Sequence, residues 1–225
     1  MSETDEEALT GPDLGADGAA LADIPEGGML VGHFEGSSVV LVRKAGSVHG
    51  VGGKCTHYGG PLGQGLFDGE LLHCPWHHAC FKPETGEAAC APAIDPVPSF
   101  AIEHRGGRVF VKSVRKPHVE RPPIPSAPAS VVIVGGGASG FAAAETLRRE
   151  GYQGPVTIVS ADDSPPCDRP NLSKDYLAGT AQSEWIPLRP PKWYRDARIE
   201  LLLGKRVAAI VPAKREVRLD EGHSL

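Results

Sequence analysis

Short apolar runs alternating with polar positions fill residues 29–112, and glycine or proline breaks most of the gaps between them. They predict strands over Met29–Phe34, Val39–Arg43, Val48–Val51, Leu71–Cys74, Ala79–Lys82, Phe100–His104 and Val109–Lys112. Turns such as Glu84-Thr85-Gly86 and Arg105-Gly106-Gly107 separate them. No stretch in this half has helical periodicity, so a small all-β domain is expected over residues 27–115. Residues 116–129 hold five prolines and no apolar period. They predict a stiff, extended linker.

Beyond the linker the pattern changes. Val131–Val134 is a bare apolar strand, followed at once by Gly135-Gly136-Gly137-Ala138-Ser139-Gly140. A helical stretch, Phe141–Arg149, ends at Gly151, and a second apolar strand covers Val156–Val159. Strand, glycine loop, helix and strand in this order open a nucleotide-binding βαβ unit. Glu200–Leu203, Arg206–Val211 and Glu216–Leu219 read as further strands. The fold class expected is therefore multidomain: an all-β domain, then an incomplete α/β, Rossmann-like domain over residues 130–225.

Composition changes this picture at the N-terminus. The net charge of −5 is concentrated in residues 1–26, which carry eight acids and no base; the remainder holds 23 bases against 20 acids. An acidic, disordered tail is expected there. No apolar run approaches the ~20 residues of a membrane helix. The N-terminus has neither the basic start nor the apolar stretch of an export signal, so a cytoplasmic location is expected. No basic stripe suggests nucleic acid. The 225 residues include five cysteines, at 55, 74, 80, 90 and 167. In a reducing compartment, cysteines close to histidines point to metal binding rather than disulfides.

The chemistry lies in Cys55-Thr56-His57 and, after sixteen intervening residues, Cys74-Pro75-Trp76-His77. Each short segment offers one sulfur and one nitrogen ligand. A 2Fe–2S cluster takes four ligands in two pairs, so two cysteines can hold one iron and two histidines the other. Neutral imidazole gives its iron less negative charge than thiolate does. The potential then rises into a range of about −150 to +300 mV. A structural zinc site in a non-redox interaction module is the alternative, but such sites usually pair Cys with Cys and His with His.

The stretch CTHYGGPLGQGLFDGELLHCPWHHACFKPETG closely resembles the Rieske ferredoxin family, and the likeness runs from about Met29 to Lys112. The resemblance implies a small β-sandwich with two loops closing over the cluster and histidine edges as the electron exit. It implies Cys55 and Cys74 on the inner iron and His57 and His77 on the outer one, with Pro61, Leu62 and Ala91-Pro92-Ala93 covering the cluster. Rieske proteins of quinol-oxidising complexes carry an extra cysteine in each loop, where Gly60 and Trp76 stand here. They also direct a serine and a tyrosine hydroxyl at sulfur, where Ala79 and Phe81 stand. Fewer donors to sulfur lower the potential. A value near the bottom of the Rieske range is expected. His78, next to a ligand, is read as a surface or supporting side chain; Cys80 and Cys90 as ordinary thiols; His33, His49, His73 and His104 receive no role.

In the second half, Gly135, Gly137 and Gly140 fit a GxGxxG fingerprint, and Asp162, 22 residues past Gly140, is the acid expected to meet a ribose hydroxyl, with Asp163 as the alternative. The stretch Pro166-Cys167-Asp168-Arg169-Pro170-Asn171-Leu172-Ser173-Lys174 resembles the flavin-binding opening of ferredoxin reductases and apoptosis-inducing-factor-like proteins. That resemblance implies FAD, with Arg169 and Lys174 beside it. In this family a nicotinamide cofactor reduces the flavin, which can release electrons singly to a one-electron centre. The likeness covers about the first third of such a reductase, so NAD(P)H oxidation by this chain alone is not expected. A redox partner protein or the remaining reductase portion is the expected partner, and an inactive fragment is the other alternative. A Rieske oxygenase would need a mononuclear iron site with two histidines in a following domain. Past the linker the sequence offers only His223.

Overall fold

The structure is a computed structural model, described here for residues 9–115 and 126–225. The chain divides into two compact units, with the boundary between residues 119 and 120.

The first unit is all β. A six-stranded sheet contains β1 (Ala19–Ala20), β2 (Met29–Phe34), β3 (Ser37–Lys44), β4 (Ser47–Gly52), β9 (Ser99–Arg105) and β10 (Arg108–Arg115), in the order β1-β10-β9-β4-β3-β2. A four-stranded sheet of short strands, β5 (Leu66–Phe67), β6 (Leu72–His73), β7 (Cys80–Phe81) and β8 (Ala88–Cys90), is inserted between β4 and β9. Strand β3 shows why both faces of the large sheet are covered. Val39, Val40, Leu41 and Val42 are all fully buried, and successive side chains point to opposite faces. Val40 and Val42 join Cys55, Leu62, Leu72, Cys74 and Phe81 in one core; Val39 and Leu41 join Phe34, Phe100, Val109 and Val111 in the other.

That second core corrects the expectation of a disordered tail over residues 1–26. Residues 1–8 lie outside the described residues, but residues 9–26 fold onto the sheet. Leu14 and Ile24 are fully buried in the second core, with Ala19 beside them. The Asp13 carboxylate accepts hydrogen bonds from the backbone N–H groups of Gly15 and Ala16, and the N–H of Val111 donates to the Leu14 carbonyl. Asp17, Asp23 and Glu26 are exposed, while a few apolar residues between them carry the packing. The linker expected over residues 116–129 lies mostly outside the described residues.

The second unit has a parallel sheet, β11 (Val131–Val134), β12 (Val156–Val159) and β13 (Ile199–Leu202), in that order. Helix α1 (Ala138–Arg149) connects the first two strands; the short helices α2 (Arg169–Leu172) and α3 (Pro191–Asp196) lie between β12 and β13. The pair β14 (Val207–Val211) and β15 (Glu216–Leu219) forms a separate antiparallel ribbon. Phe141 and Ala144 of α1 and Tyr194 of α3 are buried with Val156, Ile158 and Ile199. The Arg148 guanidinium closes the C-terminal end of α1, donating to the carbonyls of Tyr152, Gly154, Ala197 and Arg198. The fold is thus an all-β domain followed by part of a Rossmann-like domain.

Candidate metal centre and cofactor cradle

Two loops of the first unit repeat one backbone design. In the first, the Cys55 N–H donates to the Gly60 carbonyl and the Gly59 N–H to the Cys55 carbonyl, both at 2.8 Å. In the second, the Cys74 N–H donates to the Ala79 carbonyl at 2.8 Å and the His78 N–H to the Cys74 carbonyl at 3.1 Å. The residue four after each cysteine is left-handed: Gly59 at φ 74° and His78 at φ 59°. His78 thus stands where the twin loop uses glycine, and histidine is among the residues that enter this region most readily. Its side chain is exposed.

This design sends each cysteine inward and its histidine outward. Cys55 and Cys74 are buried in the same core, 4% and 2% exposed. His57 is half-buried and His77 exposed, their rings 5.0 Å apart and nearly perpendicular. Tyr58 lies 4.2 Å from the His57 ring. Burial pushes the Cys55 thiol up, opposed by backbone N–H groups of His57 and Tyr58 aimed at its sulfur, while the adjacent Cys74 thiol adds to the rise. Leu62 and Ala93 belong to the same core, and the Thr56 hydroxyl donates to the Asp95 carbonyl at 2.6 Å, tying the first loop to the segment around Ala93. Among the described residues no three His, Cys, Asp or Glu side chains are grouped to hold one metal ion. A 2Fe–2S cluster asks for only two protein donors at each iron. Two adjacent buried thiols with two outward imidazoles fit that requirement.

In the second unit the glycine loop separates into packed and open positions. Gly140 presses on the turn: a Cβ there would lie 2.0 Å from the Gly135 carbonyl oxygen and 3.3 Å from Cγ2 of Ile133. Gly135 itself has φ 115°, open to glycine alone. A Cβ on Gly137, the N-cap of α1, would meet nothing within 4 Å. The space before the helix N-terminus, where a pyrophosphate would sit, is therefore open. Asp162 lies just past β12 and is exposed; it pairs with Arg169 at 3.4 Å. The structure thus brings together two of the residues expected beside a flavin. Lys174 is exposed on the turn after α2 and is not joined to that pair. Sequence reasoning missed Asn171, which lies between Arg169 and Lys174 along the chain: it is buried, and its Oδ1 has no partner among the described residues. An asparagine in a proline-flanked polar stretch gives no signal of burial, so only the coordinates reveal it.

Known proteins match this division. Residues 18–101 match the Rieske [2Fe-2S] domain and residues 129–224 the pyridine nucleotide-disulphide oxidoreductase family. Apoptosis-inducing factor 3 of Homo sapiens is 34% identical over 215 residues, covering 90% of this chain and 35% of that protein. The 5,5'-dehydrodivanillate O-demethylase ferredoxin reductase subunit of Sphingobium sp. (strain NBRC 103272 / SYK-6) is 44% identical over 91 residues, 40% of this chain and 22% of that one. A crystal structure of the covalent putidaredoxin reductase–putidaredoxin complex aligns with a TM-score of 0.43 at 40% identity, covering 44% of this chain and 24% of that one. This chain thus spans about a third of the length of its long curated relative, 35%. No helix among the described residues is long and apolar enough to cross a membrane. The first domain implies a 2Fe–2S cluster and the second FAD. Residues 18–101 thus carry a Rieske [2Fe-2S] domain, and residues 129–224 carry part of a pyridine nucleotide-disulphide oxidoreductase domain.

Proposed function

We propose that this chain passes single electrons through a Rieske cluster held by Cys55, His57, Cys74 and His77, as part of a flavin- and NAD(P)H-dependent oxidoreductase. The observation that carries this reading is the pair of twin loops, which place two thiols side by side in a core and turn two imidazoles toward the surface. The buried thiols keep water from one side of the cluster, and the N–H groups of His57 and Tyr58 hydrogen-bond the Cys55 sulfur and favour its charged form. His77 presents the exposed edge through which a partner is reached. Bound at these residues, the cluster supplies a one-electron couple.

In the second unit Gly135 and Gly140 shape the turn and Gly137 leaves room for the pyrophosphate at the α1 N-terminus, and Asp162, Arg169 and Lys174 are the side chains assigned to the cofactor. FAD supplies the conversion between hydride and single-electron chemistry. The electron acceptor is a redox protein or a further part of the same enzyme, a reading favoured by the relative that is a ferredoxin reductase subunit. The reaction takes place in the cytoplasm.

The test is to purify the chain anaerobically and quantify iron, sulfide and flavin per polypeptide, with low-temperature resonance of the reduced form. Two irons and two sulfides per chain with a Rieske-type resonance are expected. Zinc without sulfide would overturn the proposal in favour of a structural metal. A cluster without flavin would leave the electron-transfer role to the first unit alone and overturn the role given to the second.

A further inference from the structure

Behind the second cluster loop, Cys80 and Cys90 are partners across the antiparallel pair β7–β8, beside an irregularity in its register. Directly opposed residues of such a pair have Cα atoms about 4.5–5.5 Å apart. That lies inside the ~4.4–6.8 Å span a disulfide bridges. The Cys90 thiol acts on that of Cys80: after burial, it is the largest influence pushing the Cys80 thiol up. Their access to water differs. Cys80 is 5% exposed, whereas Cys90 is exposed. The Cys80 sulfur is also held in place by the His78 carbonyl at 3.2 Å and by Nδ1 of His73 at 3.3 Å. His73 is itself fixed through Nε2 to the Asp68 carboxylate at 2.7 Å. Nothing in the electron-transfer role uses this pair, since Cys55 and Cys74 serve the cluster and Cys167 belongs to the other unit.

We propose that Cys80 and Cys90 are a reversible dithiol–disulfide site, oxidised by low-molecular-weight disulfides of the glutathione class. The exposed Cys90, as thiolate, attacks one sulfur of the reagent; a Cys90–S–S–R bond forms, the reagent's own S–S bond breaks, and one RS⁻ leaves with the proton Cys90 gave up. The Cys80 sulfur then attacks Sγ of Cys90, the mixed S–S bond breaks, and the second RS⁻ leaves with the Cys80 proton. Two protein thiols lose two electrons in all, and one small disulfide becomes two thiols. Bridges at exposed positions are the readily reduced kind. This one would join β8 to β7, the strand that directly follows the loop bearing Cys74 and His77.

The experiment incubates the full cluster-loaded chain anaerobically with oxidised glutathione. Intact mass and peptide mapping are read alongside the visible absorption of the cluster. The expected result is the loss of two hydrogens per chain and a Cys80–Cys90 peptide link, reversed by dithiothreitol, with the cluster absorption retained. Cys80→Ser should trap glutathione on Cys90. Cys90→Ser, an exposed change that leaves the packing intact, should show neither bridge nor adduct at this site. A stable glutathione adduct on Cys90 of the unaltered chain, no reaction at either residue, or a bridge only between Cys55 and Cys74 after the cluster absorption is lost would each overturn the proposal.

Discussion

Gly60 in the first loop sits so close to Cys74 in the second that a Cβ on it would lie 2.8 Å from the Cys74 sulfur and 3.2 Å from Cδ2 of Trp76. The loops therefore close on each other by bare contact at Gly60 and Trp76. Gly60→Ala must push the sulfur out of place, and that sulfur belongs to a proposed ligand. Cluster content at limiting iron should fall about tenfold or more, as for other changes that misplace a metal ligand. Iron and sulfide analysis of the reconstituted variant checks it; full loading would show that the loops part without cost.

Phe81 and Ala79 are fully buried against the core that holds Cys55 and Cys74. Neither offers a hydroxyl. A hydrogen bond to a charged group contributes about 1.5–3 kcal/mol. Only the part that differs between the oxidised and reduced cluster moves a one-electron potential, for which a tenfold change in equilibrium is about 59 mV. The unaltered chain should titrate below zero. Phe81→Tyr or Ala79→Ser should raise its potential by roughly 40–100 mV. Potentiometric titration of the three proteins decides it, and an unmoved potential in both variants would show that neither hydroxyl reaches sulfur.

His49, on β4, gives the first unit a pH dependence away from the cluster. Burial holds its imidazole below the ordinary value of about 6.5; Arg115 and Lys44 act in the same direction and Glu84 opposes them. The folded protein therefore binds this proton less readily than the unfolded chain, and stability rises with pH between the two values. The contribution is present above about pH 6.5 and is lost as pH falls through the depressed folded value. Urea midpoints should drop between pH 7 and pH 5, and His49→Gln should have the shallower slope. The difference between the two proteins cancels the other titrating groups.

The longer strands are legible as short apolar or alternating runs between turn residues; Met29–Phe34, Val131–Val134, Val156–Val159 and Glu216–Leu219 keep the bounds the pattern predicts. Strands of two or three residues, such as Leu66–Phe67 and Ala88–Cys90, escape because a period needs more repeats to show. Helices α2 and α3 escape for the same reason, being 4 and 6 residues long. Charge averaged over 26 residues hides the folding of residues 9–26, which depends on Leu14 and Ile24. Leu14→Ala should cost roughly 2–5 kcal/mol. Chemical denaturation measures this; a cost near zero would return the segment to a solvated tail. The four proposed cluster ligands come from their spacing, but the left-handed place of His78 and the pairing of Cys80 with Cys90 depend on which strands meet.

In the second unit, two glycines of one fingerprint should fail differently. Gly140 is packed: a Cβ there collides with the Gly135 carbonyl at 2.0 Å, so Gly140→Ala must spread the turn from the helix and lower the stability of the unit. Gly137 is open: the protein offers a Cβ nothing within 4 Å, so Gly137→Ala should leave the melting curve unchanged. The added methyl instead occupies the space where the pyrophosphate approaches the α1 N-terminus. Overpacking typically costs about 1–3 kcal/mol, which would weaken FAD roughly ten- to hundredfold. Flavin fluorescence titration and thermal melts on the same two variants separate the effects. If Gly137→Ala bound FAD as well as the unaltered chain, the open space before the helix would not be the cofactor's place.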